Sequence, residues 1–142
     1  MRRRQALALL AVVGICIALY LTLYKMGVIG VLSCSIGSCE TVNTSGWSML
    51  LGIPIAAWGL AAYVALLVLA IAGSGEAREE SVMIARMLVA LAAWSVLFSA
   101  WLTYLELFVI HAICIWCVTS ALLWVVILAV CLADLRAVSR AA

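Results

Sequence analysis

The chain has 142 residues, of which 70% are hydrophobic and only 10% charged, with a formal net charge of +2. An average soluble domain is roughly 45–50% apolar and about 25% charged. So few polar groups cannot cover a water-facing surface, which excludes a soluble globular enzyme; the same figures exclude disorder, and the small charge argues against a nucleic-acid partner. The expectation is one all-α integral membrane domain over residues 1–142.

Residues 6–24 carry no charge and follow Arg2, Arg3 and Arg4. The stretch is longer than a usual signal-peptide core and no small-x-small cleavage pattern follows it, so it reads as a retained first transmembrane helix. Tyr20 and Tyr24 near its far end suit interfacial anchors. A long connection rich in glycine and serine, residues 25–52, comes next. A second span is predicted over residues 53–72, with Pro54, the chain's one proline, in its first turn, where a missing N–H costs least. The polar break at residues 73–80 ends it. Ser81 is placed to cap a third helix over residues 82–105, and Arg86, one turn inside, can snorkel to the interface. The fourth span is predicted over residues 110–133, after a turn around Glu106 and His111.

Four spans put both termini and the 73–86 connection on one side of the bilayer. That side holds Arg2, Arg3, Arg4, Arg78, Arg86, Arg136 and Arg140; the other holds only Lys25. The asymmetry predicts cytoplasmic termini in a multi-pass cell-membrane protein, with the 25–52 loop and the start of the fourth span exoplasmic, where disulfides persist.

The six cysteines form two close pairs and two singletons. Cys34 and Cys39 lie in the loop, in Cys34-Ser-Ile-Gly-Ser-Cys39, a segment flexible enough to bring the sulfurs together. A bond closing so small a ring is a weak staple, which suits a disulfide meant to open; a purely structural bridge is the alternative. Cys114-Ile-Trp-Cys117 stands at the start of the fourth helix. Spacing of three puts both sulfurs on one helix face, and the helix N-terminus favours a thiolate at Cys114. Two readings compete for the four sulfurs: a closed metal site with all four as ligands, or a relay passing two electrons from one pair to the other by thiol–disulfide exchange. In the relay, the membrane location suggests a lipid-soluble electron acceptor. A non-catalytic membrane scaffold held by structural disulfides is the third reading.

Cys16 and Cys131 fall in apolar helix pattern and read as small buried hydrophobes. Glu106 and His111 are candidates for proton transfer, with solvated turn residues as the alternative. Among the tryptophans, Trp47 and Trp116 on the exoplasmic side are candidates to line an aromatic pocket for a quinone ring.

The order of these features resembles the vitamin K epoxide reductase family: Cys34 and Cys39, then Ser45 six residues on, Gly52-Ile-Pro54 at the second span, and Cys114-Ile-Trp-Cys117 at the last. Other quinone-linked disulfide generators place the C-x-x-C first. The resemblance implies a four-transmembrane-helix bundle with an exoplasmic loop and short-helix cap, oxidising thiols of exported proteins and reducing a quinone of the ubiquinone or menaquinone type. Carried over residue by residue, it makes Cys34 and Cys39 the pair that meets the external thiol and Cys114 the sulfur that exchanges with Cys39. Cys117 becomes the sulfur facing the quinone, and Ser45 the family's loop hydroxyl. From the residues alone, Ser45 reads as the cap of a short amphipathic helix on the membrane surface. Animal members carry a tyrosine where Ala121 stands, and their second-span asparagine has no counterpart here, which favours plain quinone reduction over epoxide chemistry. Many bacterial members carry a fused thioredoxin-like domain; none is seen in this chain, so the resemblance implies a separate thioredoxin-like partner with its own C-x-x-C.

Overall fold

The computed structural model describes residues 3–75 and 81–141. Its elements are α1 (Arg3–Lys25), a short helix α2 (Cys39–Thr44), a 3₁₀ turn (Gly46–Ser48), two-residue strands β1 (Met49–Leu50) and β2 (Ile53–Pro54), and then α3 (Ile55–Ala72), α4 (Val82–Leu105) and α5 (Ile115–Ala141). Helices α1, α3, α4 and α5 are long and apolar enough to cross a membrane, the α4 span running on to Ile110. Arg2, Arg78 and the rest of the 76–80 break, which entered the charge count, lie outside the described residues.

Buried positions on every long helix alternate by three and four. The repeat runs through Arg4, Leu7, Ala11, Gly14, Ala18 and Leu21 on α1, with Ile17 and Thr22 buried beside it; Tyr63, Leu66 and Ala70 on α3; Ala85, Leu88, Ala92 and Ser95 on α4, with Leu105 buried further along; and Trp124, Ile127, Cys131, Asp134 and Val138 on α5. That period keeps one narrow seam of each helix facing its neighbours. Lipid is as apolar as leucine, so the seam is selected by fit, and its small residues let backbones approach closely. The outward faces, including Leu9, Val68, Leu97 and Leu122, are left to lipid.

Gly14 shows how tight the seam is. A Cβ built there would lie 2.1 Å from the ring of Tyr63, which stacks on Trp124 with centroids 4.4 Å apart and shares a hydrogen bond of 2.8 Å with the Ser120 hydroxyl. Gly14→Ala must displace that ring, and is expected to cost about 1–3 kcal/mol as overpacking, read as a fall in thermal unfolding temperature in detergent.

At the end of the bundle holding the α1 N-terminus, a buried arginine ties all four helices together. Arg4 Nε donates to Asp134 Oδ2 on α5 at 3.0 Å. Its Nη1 donates to the Gly73 carbonyl after α3 at 2.7 Å, and its Nη2 to the Ser81 carbonyl before α4 at 3.3 Å. Ser81 also caps α4 as expected, its hydroxyl accepting the Ile84 N–H at 3.4 Å.

The opposite end differs from expectation in three places. Beside the expected short helix, α2, the loop holds a hairpin that was not expected, in which Met49 pairs with Pro54 and Leu50 with Ile53, turned by Leu51 and Gly52, both at positive φ, the backbone of a tight hairpin turn. Pro54 is therefore the residue before α3, not within its first turn. Ser45 ends α2 instead of opening a membrane-surface helix; its hydroxyl donates back to the Val42 carbonyl at 2.8 Å, and only the short 3₁₀ turn follows. Finally, α4 continues through Glu106–Ile110 as a wider π turn, so the reversal falls at His111, in the left-handed region at φ 56°, and α5 begins only at Ile115. Of the singleton cysteines, Cys131 is buried as expected, whereas Cys16 is exposed on the flank of α1.

Candidate active site

Cys34 and Cys39 form a disulfide, while Cys114 and Cys117 are free thiols. The disulfide loop is laid directly on the segment before α5. Gly37 pairs with Cys114 as an antiparallel bridge, and the Ser38 N–H donates to the Ile113 carbonyl at 2.8 Å. Gly37 has φ 88°, and a Cβ there would lie 2.3 Å from that same carbonyl oxygen, so only glycine permits both the conformation and the approach. Docking buries Cys39 and Cys114, 1% and 0% exposed, in one apolar cluster with Leu21, Leu32 and Val42. Cys34 remains half-buried at the outer side. Gly37→Ala is expected to undock the loop and slow transfer between the pairs about tenfold or more. The readout is the rate at which a Cys39–Cys114 mixed disulfide accumulates in a Cys34→Ser background.

Cys114 takes the cap position of α5. Its sulfur accepts the Cys117 N–H at 3.4 Å, the hydrogen bond a capping side chain makes to the third helical residue. Asn43 supplies another donor: its Nδ2 reaches the Cys39 carbonyl at 2.9 Å and the Cys114 sulfur at 3.6 Å. Hydrogen bonding from the Cys117 thiol is the main influence holding the Cys114 thiol below its ordinary pKa, helped by the Cys117 and Trp116 N–H groups and opposed by burial and the Glu106 carboxyl. The arrangement favours Cys114 as the thiolate of the pair.

Beside this pair lies a cavity of about 550 Å³, within the size range of small-molecule sites. It is bounded by α1, α3 and α4, roofed by α2 and the hairpin, and reached from α5 by Cys117, Ser120 and Trp124. Ile17, Leu21, Phe98 and Leu102 make its walls largely apolar, and Glu106, Asn43, Lys25 and Tyr63 bring the polar groups. Lys25 also latches the roof: its Nζ donates to the Asn43 carbonyl at 2.9 Å and to the Ser48 hydroxyl at 2.7 Å. An apolar chamber of this size with one sulfur in its wall suits a small, largely apolar molecule.

Sequence-predicted residues divide around this chamber. Cys117, Ser45 and Trp47 line it, with Trp47 edge-on to Trp101 at 6.5 Å between centroids. Trp116 stands elsewhere: its indole N–H donates to the Ser33 carbonyl at 2.7 Å and its ring meets Tyr20 edge-on at 5.4 Å, so it braces the disulfide loop against α1. Glu106, expected in a solvated turn, is 3% exposed, and its Oε2 accepts the Cys114 N–H at 3.1 Å. His111 is exposed. Asn43 escaped the sequence reading; its one signal was the spacing of four from Cys39, which matters only once that stretch is known to be helical. Among the described residues, no three His, Cys, Asp or Glu side chains are grouped so as to hold a metal ion, and the Cys34–Cys39 bond takes two thiolates from the four-sulfur metal reading.

Fold and site together define a four-span membrane protein whose two cysteine pairs meet at one end of the bundle, beside a chamber within it. The vitamin K epoxide reductase family model matches residues 5–132, and the chain belongs to that family. It is accordingly an oxidoreductase, and its bonded and free cysteine pairs fit thiol chemistry.

Proposed function

We propose that the protein oxidises the dithiol of a separate thioredoxin-like protein and passes the electrons through Cys34/Cys39 and Cys114/Cys117 to a membrane quinone. The observation that carries this reading is the Gly37–Cys114 bridge, which brings the loop pair onto the inner pair while Cys117 borders the chamber.

In the first exchange the partner's dithiol reduces the Cys34–Cys39 disulfide, and the partner leaves oxidised. The Cys39 thiolate then attacks the Cys114 sulfur of an inner disulfide, the Cys114–Cys117 bond breaks, and Cys117 is released as a thiolate. Cys34 attacks Cys39, restores the outer disulfide and frees Cys114. The sulfur states described above, outer pair bonded and inner pair reduced, match the point at which the electrons have arrived but not left. A quinone in the chamber would accept two electrons and two protons, and the inner pair would return to a disulfide. Asn43 and the Cys117 N–H hold the Cys114 sulfur in place for attack, while the apolar walls keep water from it.

The same reading places the Arg4 end in the cytoplasm and the cysteine end outside, supported by the arginine asymmetry. The test is quinone reduction by the purified protein with a dithiol donor, together with the appearance of a disulfide in a thioredoxin-like protein; a folded sample inactive toward both ubiquinone and menaquinone analogues overturns the proposal. Labelling of a reduced Cys34 in intact cells by a membrane-impermeant thiol reagent checks the orientation.

A further inference from the structure

Oxidising a dithiol breaks two S–H bonds and forms one S–S bond, so two protons must leave along with two electrons. Inside an apolar chamber they need a carrier. Among the described residues lining the cavity, the ionisable side chains are Lys25, Tyr63, Glu106 and Cys117. Lys25 is engaged with the roof and Tyr63 with Ser120. Glu106 is the single carboxyl among them. It is buried, bound through Oε2 to the backbone of Cys114, and lines the same cavity as Cys117. One short acidic group therefore joins Cys114 to the chamber that Cys117 borders. An ionisable residue at this depth is costly to keep and generally marks a functional site.

We propose that Glu106 is the proton store of the inner cysteine pair, holding on its carboxyl one of the two protons of the reduced pair and releasing it toward the cavity as the Cys114–Cys117 disulfide forms. With that proton on Glu106, one sulfur of the reduced pair is a thiolate and the other keeps its own proton. Disulfide formation discharges both protons, two electrons pass to the quinone, and Glu106 returns to its carboxylate. This rests on the proposed quinone-linked function for the acceptor, but the storage step does not require an acceptor to be present.

The π turn supports the assignment. By widening α4 over Glu106–Ile110, it ends the helix with Glu106 turned inward, its own carbonyl accepting the Ala112 N–H at 3.0 Å while its carboxyl meets Cys114. π turns of this kind occur frequently at functional sites.

The test compares wild type with Glu106→Gln, which keeps an oxygen for the Cys114 N–H but cannot take a proton, and with Glu106→Asp, which keeps the acid on a shorter arm. Infrared difference spectra are recorded without quinone as the inner pair is reduced by a dithiol. Wild type is expected to gain the C=O band of a protonated carboxyl, absent in Glu106→Gln and shifted in Glu106→Asp. With quinone, Glu106→Gln is expected to lose about 10²-fold in turnover, with its optimum moved to higher pH, and Glu106→Asp to recover part of the loss. Gln turnover within twofold of wild type, or a band unchanged in Glu106→Gln, overturns the proposal. If the Gln variant fails to fold, the band in wild type and its shift in Glu106→Asp decide: no band, or an unshifted one, overturns it. A wild type that gains the band but reduces no quinone would sink the proposed function while supporting the proton store.

Discussion

Cys117→Ala is expected to lower quinone-linked turnover by about 10³-fold or more, the scale on which loss of a reacting nucleophile is felt. Of the four paired cysteines, Cys117 is the one that borders the chamber, whereas Cys114 faces the docked loop and is fully buried. Removing the Cys117 sulfur should leave the outer exchange intact, because the half-buried Cys34 and its partner Cys39 need nothing from α5 to react with an external dithiol. Electrons then stop at the interface. Peptide mapping after quenching with an alkylating reagent should find Cys34, Cys39 and Cys114 all alkylated as thiols, because without Cys117 there is no inner disulfide to take the electrons. Turnover that survives the substitution would keep the enzyme but move the quinone to another sulfur. A wild type with no turnover, whose sulfurs all stay oxidised under mild thiol treatment, would favour the scaffold reading instead.

The largest effect on stability is expected at the other end of the bundle. Asp134→Ala removes the carboxylate from a guanidinium that is only 3% exposed, and breaking one side of a buried ion pair costs about 3–5 kcal/mol. Arg4→Met should cost a similar amount, since it also removes donors from the Gly73 and Ser81 carbonyls. The double variant Arg4→Met/Asp134→Ala should lose less than the sum of the single losses, because neither charge is left behind. Unfolding in detergent, read as a double-mutant cycle, checks this: a coupling below about 0.5 kcal/mol would show that the two groups act independently. Quinone reduction at temperatures where all variants remain folded should change little, as the ion pair lies at the end of the bundle opposite the four paired cysteines.

The spans were legible because an uncharged run of the right length has few other uses, and the ends of the first three came out within a few residues of α1, α3 and α4. The four paired cysteines were legible through their spacing alone. Burial was less so. Cys16 sits among apolar residues, yet the three-and-four seam passes through Gly14, Ile17 and Ala18 and leaves it outside; in a helix that is apolar all round, composition does not say which face turns inward. The six residues of α2 are too few to display a helical period, so Asn43 had no visible connection to Cys39. Glu106 looked solvated because it is a charge near a turn, and the π turn that carries it inward is stabilised by contacts with Cys114 eight residues later. Trp116 had the composition expected of a quinone pocket, but neighbouring positions on a helix point in different directions, and the side that reaches the chamber belongs to Cys117.

The Arg4–Asp134 pair joins residues 130 positions apart. At roughly 5–20 residues per second, Arg4 is in place on the order of ten seconds before its carboxylate partner has been synthesised. Its Gly73 and Ser81 acceptors arrive partway through that interval. Until then the guanidinium, at the end of α1, can be held only by water and by those two carbonyls. The ion pair can close only when nearly the whole chain has been made, and a chain that stops short of Asp134 lacks the one charge that balances Arg4 there.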